Sequence, residues 1–100
     1  MPTDVRTPGD LRPGDIYEDC AYHPCVCVAV GVADEPDVVI GISLVDGTYP
    51  RTCSIDHCGV RLLTPSEAWH WRRYGPADVV LASKHRWWDA TRPDPQATAE

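Results

Sequence analysis

From Cys25 the chain alternates strictly for eight residues: Val26, Val28, Val30 and Val32 fall on one face, Cys25, Cys27, Ala29 and Gly31 on the other. Period-two alternation specifies a β-strand. After the acidic turn Asp34-Glu35-Pro36-Asp37 the alternation resumes, with Val38, Ile40, Ile42 and Leu44 set against Val39, Gly41, Ser43 and Val45. Two such runs in succession predict a hairpin. Asp46-Gly47, whose glycine accepts a positive φ without steric cost, then predicts a further turn into a short β segment over Thr48–Ser54. A first strand at Ile16 and a last one at Val60–Leu63 make five short strands, with a compact turn at Ile55–Gly59 before the last. This layout is that of an SH3-like or Tudor-like small β-barrel, with the even-numbered Val and Ile residues filling its interior.

Around that barrel, spanning residues 15–64, the ends are of different character. Pro8-Gly9-Asp10 and Pro13-Gly14-Asp15 are turn signals, so residues 1–14 are expected to form an N-terminal loop. Thr64-Pro65-Ser66-Glu67 is a capping box with proline at the first helical position, and Gly75-Pro76 ends the helix it starts. In that helix Trp69 is expected to cover the sheet while Arg72 and Arg73 reach solvent. A second helix from about Ala77 to Ala90 completes a C-terminal helical segment, 65–90, packing on the barrel. Residues 91–100, with Arg92-Pro93-Asp94-Pro95, read as a flexible tail.

The composition is that of an ordinary folded domain, with 43% hydrophobic and 24% charged residues. The longest apolar stretch, Cys25 to Ala33, is well short of the roughly 20 residues of a membrane-spanning helix, and the N-terminus lacks a secretory pattern. A cytoplasmic location is expected, where thiols persist as metal ligands, reactive groups or core residues rather than disulfides. The odd cysteine count, five, agrees. The net charge of −6 is concentrated in residues 1–60, which hold ten acids against Arg6, Arg12 and Arg51, and this disfavours nucleic acid as a partner.

The chemistry lies in two clusters, Cys20-x-x-His23-Pro24-Cys25-x-Cys27 and Cys53-x-x-x-His57-Cys58. Four soft or borderline ligands from two short loops suit tetrahedral Zn²⁺, and the loop joining the first two strands of a small barrel lies beside the turn before the last. Four of Cys20, His23, Cys25, Cys53, His57 and Cys58 are the expected ligands. Cys27, flanked by valines, reads as a core residue. The same cluster suits a second reading, a small metal-dependent or thiol enzyme: Glu18, Asp19 or Asp56 would serve a metal-bound water as base, or His23 or His57 would activate Cys25 or Cys58. No glycine-rich phosphate loop, Gly-x-Ser-x-Gly elbow or His-Glu-x-x-His motif is present.

Four tryptophans in 100 residues, with Lys84-His85-Arg86-Trp87-Trp88 mixing cations and indoles, point to another protein as partner, met by Arg72, Arg73, Arg86, Trp87 and Trp88. A single-stranded nucleic acid stacking on these indoles is the weaker alternative. The strings Tyr17-Glu18-Asp19-Cys20, His23-Pro24-Cys25, Gly41-Ile42-Ser43-Leu44, Asp46-Gly47 and Cys53-Ser54-Ile55-Asp56-His57-Cys58-Gly59-Val60 resemble those of a family of short uncharacterised bacterial proteins. That resemblance spans residues 13–76 and implies a shared domain without naming a role. A fainter likeness, in Gly59-Val60-Arg61 followed by a capped helix, is to the Tudor-like polymerase-binding domain of CarD-type transcription regulators. The expectation drawn from all of this is a small protein-binding or regulatory module with a structural zinc site.

Overall fold

In the computed structural model, residues 2–32 and 34–88 are described. The expected tail at 91–100 and the last two residues of the expected second helix lie outside them. Strands β1 (Thr3–Val5), β2 (Ile16–Glu18), β3 (Pro24–Val32), β4 (Glu35–Ser43), β5 (Arg51–Ser54) and β6 (Val60–Leu62) form a single sheet in the order β1-β6-β2-β3-β4-β5. Every pairing is antiparallel. The one-turn helix α1 (Ile55–Cys58) joins β5 to β6, and α2 (Pro65–Tyr74) follows. No helix among the described residues is long and apolar enough to cross a membrane.

The fold is mainly β, as the alternation demands, but the sheet is open, with β1 and β5 as its edges. The expected closed barrel is therefore corrected. After Ser54 the chain turns into α1 instead of running on as a strand, and side chains take over where a ladder would close. Cys53 and Ile55 from this corner share one apolar cluster with Val5 of β1 and Val60 of β6. The N-terminal segment is also more ordered than a loop, because Thr3–Val5 pairs with Val60–Leu62. Both turn signals within it are realised: Asp10 accepts from the backbone N–H groups of Arg6 and Thr7, and Asp15 from that of Arg12. Between them Leu11 inserts into the core.

Of the even-numbered valines of β3 whose side chains are described, only Val30 packs against the interior. Cys25 and Cys27 face it from β3, together with Val39 of β4 and Tyr17 of β2, whereas Val28 is exposed. A β-bulge decides the parity. Cys27 pairs with Gly41 but Ala29 pairs with Ile40, so Val28 is the extra residue, and beyond it Val30 turns toward the core. The small residues on the inward face make room for Tyr17, whose ring lies across Gly41. A Cβ on Gly41 would collide with that ring and stand 2.7 Å from the backbone oxygen of Val26, which cannot move aside. Gly41→Ala is expected to destabilise the domain by about 3 kcal/mol, the upper part of the overpacking range, seen as a lower urea midpoint.

On the opposite face, helix α2 lays Ala68 and Trp71 over Ile16 and Leu44, with Leu63 completing the cluster. Its capping box forms as expected: Thr64 Oγ1 accepts from the Glu67 N–H, and Glu67 accepts from that of Thr64. The expected role of Trp69 passes to Trp71. Trp71 lies three residues after Ala68 on the buried stripe, and its indole N–H donates to buried Glu18 over 2.7 Å. Trp69 is left 57% exposed.

The second helix does not form over 77–88, where only Ser83–His85 makes a single 3-10 turn. The β-branched pair Val79-Val80 favours helix poorly. This segment is held instead at separate points: Asp78 pairs with Arg61, Trp87 donates its indole N–H to the Trp71 carbonyl, and the Trp88 ring covers Gly75.

Candidate metal centre

Glu18 ends β2, and Asp19 opens the turn that carries Cys20. The Asp19 carboxylate shapes this turn: one oxygen accepts from the backbone N–H groups of Ala21 and His23 at 2.9 and 3.0 Å. Tyr22 within it takes the left-handed backbone conformation, φ 68, unusual for a side chain of its size. The other Asp19 oxygen accepts two bonds from the Arg51 guanidinium, at 3.1 and 2.8 Å. Asp19 is 5% exposed, so the ion pair ties the Cys20 turn to the start of β5 in a largely desolvated place.

Two residues along β5 from Arg51 stands Cys53, buried on the inward face. Ser54 then starts α1 as its N-cap, its hydroxyl accepting from the His57 N–H and donating to Asp37. One helical turn later Cys58 lies exposed, and Gly59 leaves the helix at φ 77, a conformation suited to glycine. Three elements thus deliver three thiols. The sulfur atoms of Cys20, Cys53 and Cys58 all lie within 4.8 Å of one another, close enough to hold a metal ion. Around a tetrahedral ion with bonds of about 2.3 Å, sulfurs stand roughly 3.8 Å apart, so only a small contraction is needed.

The other three expected ligands lie outside this group. Cys25 is wholly buried, its sulfur 3.8 Å from an Asp19 oxygen and 3.5 Å from the His23 carbonyl. Its strand faces the core at that register, and burial pushes its thiol up to about 12. The His57 ring turns back to the Ser54 hydroxyl at 3.2 Å. The His23 ring lies 4.5 Å from that of Trp87 and 3.5 Å from the Ser43 hydroxyl. Cys27 is a core residue, as its valine flanks imply. Among the clustered thiols, burial raises those of Cys20 and Cys53, whereas Cys58 is lowered, first by a bond from the Ser54 backbone and then by its neighbouring thiols.

Beside the cluster runs an open groove of about 750 Å³ that both Cys20 and Cys58 line. Its floor includes Glu18 and Arg61. Arg61 holds Glu18 at 2.7 and 2.8 Å while also pairing with Asp78. Neither this network nor the Asp19–Arg51 pair is visible in the sequence. Their partners are 43 and 32 residues apart and follow no spacing rule.

The residues expected to meet a partner are divided. Arg72 is exposed but donates to the Leu44 carbonyl, and Arg73 stands 5.3 Å over the exposed Trp69 ring. Arg86 bonds to the Leu81 carbonyl and stands over Trp88, while Trp87 and Trp88 are half-buried against the domain itself.

His23 gives the site region a pH signature. Burial, assisted by the Arg51 charge, depresses its imidazole below the ordinary 6.5, so the unfolded chain binds the proton more readily. The resulting stability is fully present above pH 6.5 and is lost as pH falls through the depressed value. Urea melts across that window are expected to show a slope that His23→Gln removes. An unchanged slope in the variant would place its origin elsewhere.

Comparison with known proteins finds no matching family model, no significantly similar curated protein and no significantly similar solved structure.

Proposed function

We propose that the protein is a small protein-binding or regulatory module whose β5–α1 corner is fastened to the β2–β3 turn by a Zn²⁺ ion on Cys20, Cys53 and Cys58. The observation that carries this reading is the convergence of three thiols, from positions 20, 53 and 58, within 4.8 Å. Sulfur donors favour zinc among the common divalent ions, and magnesium and calcium prefer oxygen. A small antiparallel sheet with one helix laid across a face and no catalytic motif in the sequence supports a binding module. The face offered to another protein is the outer side of α2, where the Arg72 and Arg73 guanidinium groups stand 5.9 and 5.3 Å from the exposed Trp69 ring.

A second reading, a metal-dependent enzyme, is favoured by the count of three protein ligands beside an open groove, since catalytic zinc keeps one position for water. Purified under reducing conditions, the protein is expected to contain one zinc per chain by elemental analysis. Substitution with Co²⁺ should produce a thiolate charge-transfer band that Cys53→Ser abolishes. Absence of both would remove the zinc reading. Three protein ligands leave one position open in either reading, so substrate turnover by the zinc-loaded protein that Cys53→Ser abolishes would favour the enzyme over the module.

A further inference from the structure

We propose that Cys58 and Cys20 form a peroxide-responsive thiol pair, in which Cys58 attacks the peroxide and Cys20 resolves it to an intramolecular disulfide. That closure would also expel a bound ion rests on the zinc reading above; the thiol pair itself does not.

The roles follow from exposure and from what each thiol is attached to. Cys53 is 4% exposed and sits in a strand whose backbone is paired to β4 over Val38–Gly41, so a peroxide reaches it far less readily than the two exposed thiols and its sulfur has little room to travel. Cys58 and Cys20 are both exposed and both line the open groove, which admits a small hydroperoxide; Cys58 is the less enclosed of the two, which makes it the attacker. A disulfide requires sulfurs within at most 4.8 Å to close to about 2.05 Å. Cys58 lies at the end of a single helical turn next to Gly59, and Cys20 in an irregular turn, so these two segments can supply the movement.

In the first step the Cys58 thiolate attacks one oxygen of the hydroperoxide. An S–O bond forms, the O–O bond breaks, and the departing oxygen leaves as alcohol or water after taking a proton. In the second, the Cys20 thiolate attacks the Cys58 sulfur; the S–S bond forms, the S–O bond breaks, and hydroxide leaves as water with the proton Cys20 gave up. Two thiols are oxidised by two electrons, and one hydroperoxide is reduced. Cys53 then remains as a lone sulfur, too few ligands to retain zinc.

The test treats metal-free and zinc-loaded full-length protein with one equivalent of hydrogen peroxide, followed by non-reducing tryptic mapping. One cross-link per chain joining the peptide that carries Cys20 to the one that carries Cys58 is expected, with the loss of two hydrogens and reversal by dithiothreitol. It should persist in Cys53→Ser and vanish in Cys58→Ser and Cys20→Ser, each first shown by thermal melting to be folded. Persistence in Cys58→Ser, links only between chains, or sulfinic acid without a disulfide would overturn the pair. With zinc loaded, a chromogenic chelator should record ion release in step with the cross-link. A link in protein that never binds zinc would uphold the pair and dismiss the zinc reading, whereas bound zinc with no link would do the reverse.

Discussion

Removal of zinc by a strong chelator is expected to lower the melting temperature by about 15–30 °C. A ligand present at roughly 1,000 times its dissociation constant stabilises the folded state by about 4 kcal/mol, and in a domain of this size each kcal/mol moves the midpoint by about 4–8 °C. The ion would add a further tie between the Cys20 turn and the β5–α1 corner, which otherwise meet through the β2–β6 pairing and the Asp19–Arg51 ion pair. The Cys20 turn belongs to the β2–β3 side, Cys53 to the edge strand β5, and Cys58 to the corner that begins the return to β6. Calorimetry with and without chelator measures it, and readdition of zinc should restore the midpoint. Cys20→Ser should melt at the lower temperature in both conditions. A midpoint indifferent to chelation would mean that the three thiols hold no structural ion.

The second large effect is expected at Glu18. This carboxylate is 3% exposed and satisfies two partners, the Arg61 guanidinium of the neighbouring strand and the Trp71 indole N–H of α2. Arg61 keeps Asp78 and reaches solvent at 22% exposure, so the loss is that of charge-assisted hydrogen bonds, about 2–3 kcal/mol, rather than of a stranded buried charge. Here Trp71 would also lose its acceptor beneath α2. Glu18→Ala should therefore shift the urea midpoint by that amount. Asp78→Ala, which removes the outer member of the same network at 28% exposure, should cost less than about 1 kcal/mol. Similar small losses in both variants would show that Arg61 finds water when Glu18 is gone.

How far the sequence discloses this structure depends on whether the signal is local. The capping box placed helix α2 at Thr64 correctly because the N-cap, the proline and the Glu67 carboxylate act within one turn. Alternation likewise disclosed β3 and β4. It could not disclose which face is inside, since that depends on Tyr17 needing the space above Gly41 and on an extra residue at Val28. The larger valines suggested the wrong side; smaller residues line the interior because an aromatic ring from a neighbouring strand occupies it. Trp69 and Trp71 were indistinguishable by bulk, and the buried acceptor on Glu18 decides between them.

The cysteine cluster was legible as a set of candidates rather than as a site. Spacing marked both segments, and the structure brings Cys20, Cys53 and Cys58 together while directing Cys25 into the core. A strand position fixes that outcome for Cys25, which pairs with Ser43 across the ladder and faces inward. The imidazoles of His23 and His57 are occupied by Ser43 and Ser54 instead. The Ser54–His57 contact is local to one helical turn, but those of Cys25 and His23 with Ser43 join residues whose proximity exists only after the chain has folded.

The Asp19–Arg51 latch gives the three sulfurs a further property. Because that ion pair and the Asp19 turn hold their positions through protein groups alone, a cation meets donors that are already gathered, and the loss of chain freedom needed to collect them has been taken during folding. Affinity would then depend on a carboxylate that never touches the ion. A change at position 19 would loosen the grip without altering a single coordinating atom.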